Sequence, residues 1–333
     1  MFKILSYFRK TDGLPKTCPT DSSTKSKVRT ERKASPTLSG FINTAAQGVS
    51  SSTADNYRTA VRSFVRFNGC KDVPLSALNA ETLRCYERWL REQGVCPNTS
   101  SCYIRSLRAI YNKAVGKRVI SDKAPFKGVF TGNEPTAKRC IGVEEIHKLN
   151  LFSPPHGKEA LDFFLFSLYT MGMPFIDMAY LKQSQIKNGV LTYRRCKTGK
   201  QIKVTLEPCM LDILAKYKMK GMDYLFPILY KVKSGKTIAV SYSYALNRYN
   251  RQLKELAQKA GIKERLTSYV ARHSWASIAY ENNVDLPIIS KALGHANTQT
   301  TLVYIEGIKD ERLPQANREL LKEYFQTTSY KEV

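Results

Sequence analysis

The chain has 333 residues, with 53 Lys+Arg against 28 Asp+Glu, a formal charge of +25. That length suggests two domains, each with room for its own core. The longest uncharged stretch, Phe163–Ile176, is interrupted by a Gly and a Pro and falls short of the about 20 apolar residues of a membrane span. Met1–Lys10 holds only short apolar pieces broken by Lys3 and Arg9 and reads as no secretory signal; the expected location is the cytoplasm. Eight scattered cysteines form no Cys-x-x-Cys pair, and with four histidines they suggest neither a structural zinc site nor a disulfide framework. Solubility needs far less charge than +25, so the excess points to a polyanion, and most simply to nucleic acid.

In chain order, residues 1–50 are rich in Ser, Thr, Pro and Lys without a sustained apolar period, and read as a flexible basic arm. Three helices follow within residues 51–118. Tyr57, Ala60, Val61, Phe64 and Val65 mark the first, with Arg58, Arg62 and Arg66 in a separate stripe at four-residue steps. The second buries Leu83, Tyr86, Trp89 and Leu90 and ends at Gly94. The third uses Ile104, Leu107, Ile110, Tyr111 and Ala114, with Arg105 and Arg108 beside that face. Each basic stripe fits either a solvated surface or a phosphate-tracking one; their repetition on adjacent helices favours the second.

Residues 119–139 read as a linker. Beyond them the expected helices cover 144–149, 158–169, 209–220, 243–260, 268–282, 286–293 and about 298–305. Three short strands at 185–186, 190–195 and 201–206 are joined by Asn188-Gly189 and by the turn Lys197-Thr198-Gly199-Lys200. The fold class is therefore mainly α with a small β-sheet (α+β).

The stretch LTSYVARHSWASIAYENNVDLPIISKALGHANTQTTLVYI, residues 266–305, carries most of the chemistry. Tyr269, Arg272 and Ala276 share a helix face. Asp285 and Pro287 open the next helix and Gly294 ends it, which holds His295 just past a helix terminus. Tyr304 follows nine residues later. Arg, His and Tyr on consecutive turns are able to converge on one phosphate.

Arg272-His273, Leu293-Gly294-His295 and Thr300-Thr301 with Tyr304 resemble the signature of the tyrosine recombinases, the phage-integrase family. Tyr193-Arg194-Arg195-Cys196-Lys197-Thr198-Gly199 resembles that family's β-hairpin lysine segment. Residues 56–114 resemble its helical core-binding domain. The similarity spans roughly residues 50–325, nearest to the branch carried by mobile elements and invertible DNA segments. It implies a SAM-like core-binding domain at 51–118, a catalytic domain at 140–309 and a tail helix at 310–333. It also implies a site-specific recombinase that integrates, excises or inverts DNA through a 3′-phosphotyrosyl link. In that scheme Tyr304 is the nucleophile, Arg272 clamps the phosphate, His295 bonds it or handles the nucleophile's proton, and Lys197 protonates the leaving 5′ oxygen. Tyr269 takes the place of the usual His or Lys. Arg58, Arg62, Arg66, Arg105, Arg108, Arg194 and Arg195 are the DNA-contact candidates. His273 reads as an inward structural histidine and Trp275 as core.

No metal and no other cofactor is implied. The implied partners are duplex DNA with paired sites, a homotetramer joined through the tail, and an accessory DNA-bending protein; packing of the tail on its own domain stays open. One departure stands out. Pro174 occupies the place of a second phosphate-binding arginine in the segment Gly172–Asp177, and Arg194, Arg195 and Arg251 are the candidate substitutes. Two other readings therefore remain: a catalytically impaired DNA-binding or architectural protein, and a topoisomerase-like activity with the same chemistry.

Overall fold

The computed structural model describes residues 36–136, 139–152, 158–217, 223–233, 236–295, 297–298 and 300–302. These form two compact units that divide between Pro135 and Thr136.

The first unit holds helices α1 (Leu38–Ala45), α2 (Ser51–Phe67), α3 (Ala80–Glu92) and α4 (Pro97–Gly116). Each start has a local cause. Thr37 Oγ1 accepts from Gly40 N, Ser50 Oγ from Thr53 N and Asn79 Oδ1 from Thr82 N, while Pro97 opens α4 where a missing N–H costs nothing. Leu38, Phe64, Leu83, Tyr86, Leu90, Ile104, Leu107 and Ile110 are completely or almost completely buried. Tyr86 stands edge-on to Phe64 and donates its hydroxyl proton to Ser63 Oγ at 2.8 Å, so its one polar atom is satisfied inside an apolar core.

Two expectations need correction. The arm does not extend to residue 50: α1 buries Leu38, Phe41 and Ala45, and Lys113 Nζ on α4 donates to Ala45 O at 2.6 Å. Three apolar residues on two turns, set among Ser, Thr and Gly, are too few to register as a period. Residues 1–35 lie outside the described residues. Nor are residues 119–134 a free linker. Asn98 and Glu134 exchange two hydrogen bonds, Ser101 Oγ donates to Gly132 O at 2.6 Å, and Val129 is buried with the helices.

In the second unit α6 (Lys158–Tyr169) is buried on nearly every side. Asp162, on that helix, is held by Lys216 Nζ at 2.9 Å and Tyr217 Oη at 2.7 Å, both from α8 (Pro208–Tyr217). Around it lie α5 (Val143–Leu151), α7 (Phe175–Ala179), α9 (Tyr242–Lys259), α10 (Val270–Glu281) and α11 (Leu286–Leu293). The strands β1 (Ile186–Lys187), β2 (Val190–Arg194) and β3 (Gln201–Thr205) make an antiparallel sheet in that order, with Tyr193 opposite Ile202 and Arg194 opposite Gln201. A second sheet, β4 (Tyr230–Lys233) with β5 (Lys236–Ala239), adds to the single three-stranded one expected. Tyr230-Lys231-Val232-Lys233 does alternate apolar and basic residues, but over four positions only, too short a run to stand out as a strand. No helix among the described residues is long and apolar enough to cross a membrane.

If α1 belongs to the folded unit, Leu38→Ala will cost about 2–5 kcal/mol of its stability. Urea denaturation followed by circular dichroism checks this, and an unchanged midpoint would exclude α1 from the cooperative core.

Candidate active site

The site is built on the end of α11. The last carbonyls of a helix lack intrahelical partners. Here Gly294, at φ +66°, turns the chain so that its own N–H reaches Lys291 O and the His295 N–H reaches Ser290 O. Leu293 O, the last of the helix, is not used by either. It accepts from Arg272 Nη2 at 2.6 Å and also from Arg195 Nη1. Cations are favoured there because the C-terminal end of a helix is its negative pole.

Arg272 lies on α10 and is only 2 % exposed. Its Nη1 donates to Gly172 O at 2.9 Å, and Nη2 also donates to His295 Nε2 at 2.9 Å. With Nε2 accepting, the imidazole proton sits on Nδ1, which donates to Thr301 Oγ1 at 2.8 Å. His295 is therefore held neutral. Burial first, then Arg272, Arg195, Lys197 and Lys200, push its pKa from the ordinary 6.5 down to about 4.

The β2–β3 turn is fastened to the same place. Thr198 Oγ1 donates to Gly294 O at 3.3 Å and Lys200 Nζ to His295 O, while the Lys197 side chain is exposed at the turn. Below it, Asp177 Oδ1 accepts from Cys196 N at 2.8 Å and Oδ2 pairs with Arg195 Nε at 2.7 Å. Burial and the neighbouring Asp177 raise the Cys196 thiol to about 11, which leaves it protonated and unreactive.

The structure thus brings together Arg272, His295, Arg195 and the Lys197 turn. It separates Arg194, which is exposed on the outer face of β2 and donates to Gly199 O at 3.2 Å. Tyr269 stands at the N-terminal end of α10, 44 % exposed, its ring 6.1 Å from that of His273. Trp275 packs against the main core and against the small cluster of Ala276, Ala279, Ile289 and Leu293. Tyr304 lies outside the described residues, as does the tail at 310–333. In the first unit Arg58, Arg62, Arg66, Arg105 and Arg108 are all exposed, Arg58 being paired with Asp55 at 2.9 Å. Arg84, Arg88 and Arg91 add an exposed row on α3 that sequence reading passed over, although their spacing of four and three was visible. Asp177, Thr301 and Lys200 were named only as members of motifs, with no role assigned. Their roles come only from what they touch.

Gly172 has φ +71°, and a Cβ there would stand 2.8 Å from Arg272 Cα. The carbonyl that orients Arg272 therefore requires a residue without a side chain.

Residues 142–310 match the model of the phage integrase family, and residues 37–129 match a phage integrase SAM-like domain. The chain is 25 % identical over 270 residues to tyrosine recombinase XerD of Halalkalibacterium halodurans, covering 78 % of this chain and 88 % of that protein. It is 26 % identical over 303 residues to XerD of Bradyrhizobium diazoefficiens, covering 83 % and 92 %. Its fold is similar to that of the Tn1549 transposon integrase solved with a circular intermediate DNA. The TM-score is 0.63 at 14 % identity, over 86 % of this chain and all of that one.

Two outcomes follow. Gly172→Ala will lower stability by more than about 1 kcal/mol, because strain and a backbone clash add to the lost freedom; a melting temperature equal to that of the parent protein would contradict the close approach. His295 binds a proton less readily folded than unfolded, so stability will fall as pH drops from about 6.5 toward about 4. His295→Gln will flatten that slope in urea titrations across this range, and an unaltered slope would exclude a neutral, buried imidazole.

Proposed function

The chain belongs to the phage integrase family, and from that premise we propose that it is a site-specific DNA recombinase that cuts and rejoins duplex DNA through a 3′-phosphotyrosyl intermediate. The observation that carries this reading is the convergence of Arg272, His295 and the lysine-bearing β2–β3 turn on the Leu293–His295 turn. Two residues beyond the last described one, Tyr304 is the nucleophile.

A phenol of pKa ~10 is about one part in a thousand ionised at neutral pH, so attack needs assistance. The Tyr304 oxygen bonds to phosphorus as the bond to the 5′ oxygen breaks. Lys197, exposed on its turn, gives that oxygen a proton and leaves a 5′-hydroxyl. Arg272 holds the non-bridging oxygens with a planar fork fixed beforehand by two backbone carbonyls. Losing one donor of this kind costs on the order of 3 kcal/mol of transition-state stabilisation. His295 Nε2, which accepts from Arg272 at 2.9 Å, takes up the tyrosine's proton. Arrival of the anion among the same cations raises its affinity for that proton. Attack by a 5′-hydroxyl of a partner strand runs these steps in reverse, so bond energy is conserved and no cofactor is consumed.

Exposed arginines on α2, α3 and α4 of the first unit track phosphates on the duplex. The DNA carries paired sites, the active assembly is a homotetramer joined through the tail at 310–333, and an accessory bending protein shapes the substrate. The protein acts on the nucleoid in the cytoplasm. Pro174 favours a second reading, a DNA-binding protein impaired in catalysis, because proline offers a phosphate no donor.

A duplex nicked beside the scissile phosphate separates the two. Covalent protein–DNA adduct is expected from the intact chain and none from Tyr304→Phe. Absence of adduct from both would leave only the binding protein.

A further inference from the structure

The family's second phosphate-binding arginine is replaced by Pro174, which caps α7 and presents no donor. Of the three arginines that could stand in, two are placed on surfaces. Arg251 is exposed on α9, and Arg194 is exposed on β2 with its guanidinium turned to Gly199 O. Arg195 differs from both. It is 7 % exposed, and its guanidinium shares the Leu293 carbonyl with that of Arg272. Two cations that would repel one another are thereby held on a single acceptor.

Arg195 is also oriented from behind. Asp177, three residues after Pro174 and almost wholly buried, pairs with Nε at 2.7 Å. Nη1 goes to Leu293 O, and Nη2 has no bond to a described residue. An arginine so placed has Nε neutralised by Asp177 and Nη1 engaged on the carbonyl that Arg272 also reaches, which leaves Nη2 as its unengaged nitrogen beside that second guanidinium. On the chain, a charge absent from the start of α7 is restored by the first residue after β2, and α7 supplies the carboxylate that aims it.

We propose that Arg195 is a second catalytic arginine, its Nη2 binding a non-bridging oxygen of the scissile phosphate in place of the side chain missing at Pro174, with Asp177 as its positioning residue. The assignment rests on the recombinase reading and deepens it. Nothing is transferred to or from Arg195 in the reaction; it stabilises charge that grows on the phosphoryl oxygens as the Tyr304 bond forms and the 5′ oxygen leaves.

The test uses the full chain on the nicked duplex in two forms, one with an ordinary scissile phosphate and one with a methylphosphonate, whose methyl group replaces a charged oxygen. On the ordinary phosphate Arg195→Ala is expected to cleave about 10²–10³-fold more slowly than the parent, because one preorganised donor is gone. On the methylphosphonate that deficit is expected to shrink by at least about tenfold, since less charge needs the guanidinium. A rate within about threefold of the parent on the ordinary phosphate would overturn the proposal. So would an equal deficit on both substrates, the mark of a purely structural role. Because Arg195→Ala leaves Asp177 buried without its partner, the double variant Arg195→Gln, Asp177→Asn repeats the comparison with the buried charge removed. Adding Pro174→Arg to that double variant should recover at least about tenfold of the rate if a second guanidinium is what was lost. Failure of the parent protein to form any adduct would instead refute the recombinase reading, a result distinct from adduct formed equally well without Arg195.

Discussion

Two guanidinium groups share one backbone carbonyl, Leu293 O, at the end of α11. That carbonyl is available because of how the helix stops. A left-handed Gly294 lets its own N–H and that of His295 satisfy the carbonyls of Lys291 and Ser290, and Leu293 O is left to the two arginines. A side chain at residue 294 would be strained and would stand 3.1 Å from Arg195 Cγ and from Ile202 Cδ1. The same turn places His295 beside Arg272 and receives the β2–β3 turn through Thr198 and Lys200. Helix termination, cation placement and docking of the lysine turn are thus one local event.

The electrostatics follow from that geometry. Cations buried without compensation carry a large desolvation cost. Here Gly172 O and Leu293 O support Arg272, and Asp177 supports Arg195. The cost falls on His295, which stays neutral because a further positive charge in this place is unfavourable. A site prepared in this way has its positive groups fixed before an anion arrives, so little reorganisation remains for the reaction itself. Gly172 is a structural condition for this arrangement, because the carbonyl it presents to Arg272 requires the chain to pass where no Cβ fits.

Much of the fold was legible. The apolar periods of α2, α3 and α4, the buried run of α6 and the Asn-Gly and Thr-Gly turns of the sheet are all written in local pattern. The misread segments share a physical character. α1 has three inward residues on two turns, residues 119–134 attach to the first unit through irregularly spaced apolar residues (Ile120, Phe126, Val129) and hydrogen bonds such as Asn98–Glu134, and β4 alternates apolar and basic residues over four positions only. None leaves a strong hydrophobic period. Arg195 is a different case. Leu191 and Tyr193 point inward along β2, so two-residue alternation carries Arg195 inward and Arg194 out. That signal was present, but both arginines were taken together, as DNA contacts and as substitutes for the side chain missing at Pro174, without using the alternation to tell them apart.

What the amino-acid order determined by itself is the set of reactive groups and their spacing: Arg272 on one helix, His295 one residue past a glycine stop, a lysine-rich turn, and a tyrosine nine residues after the histidine. Such features rest on contacts within a few residues, which local chemistry dictates. Only the tertiary structure decided which of several arginines stands beside Arg272, which carboxylate aims it, and which proton His295 keeps. Those outcomes depend on groups about 20 to 100 positions apart meeting at one carbonyl in a water-poor interior, where a charge is tolerated only if packing supplies its partner.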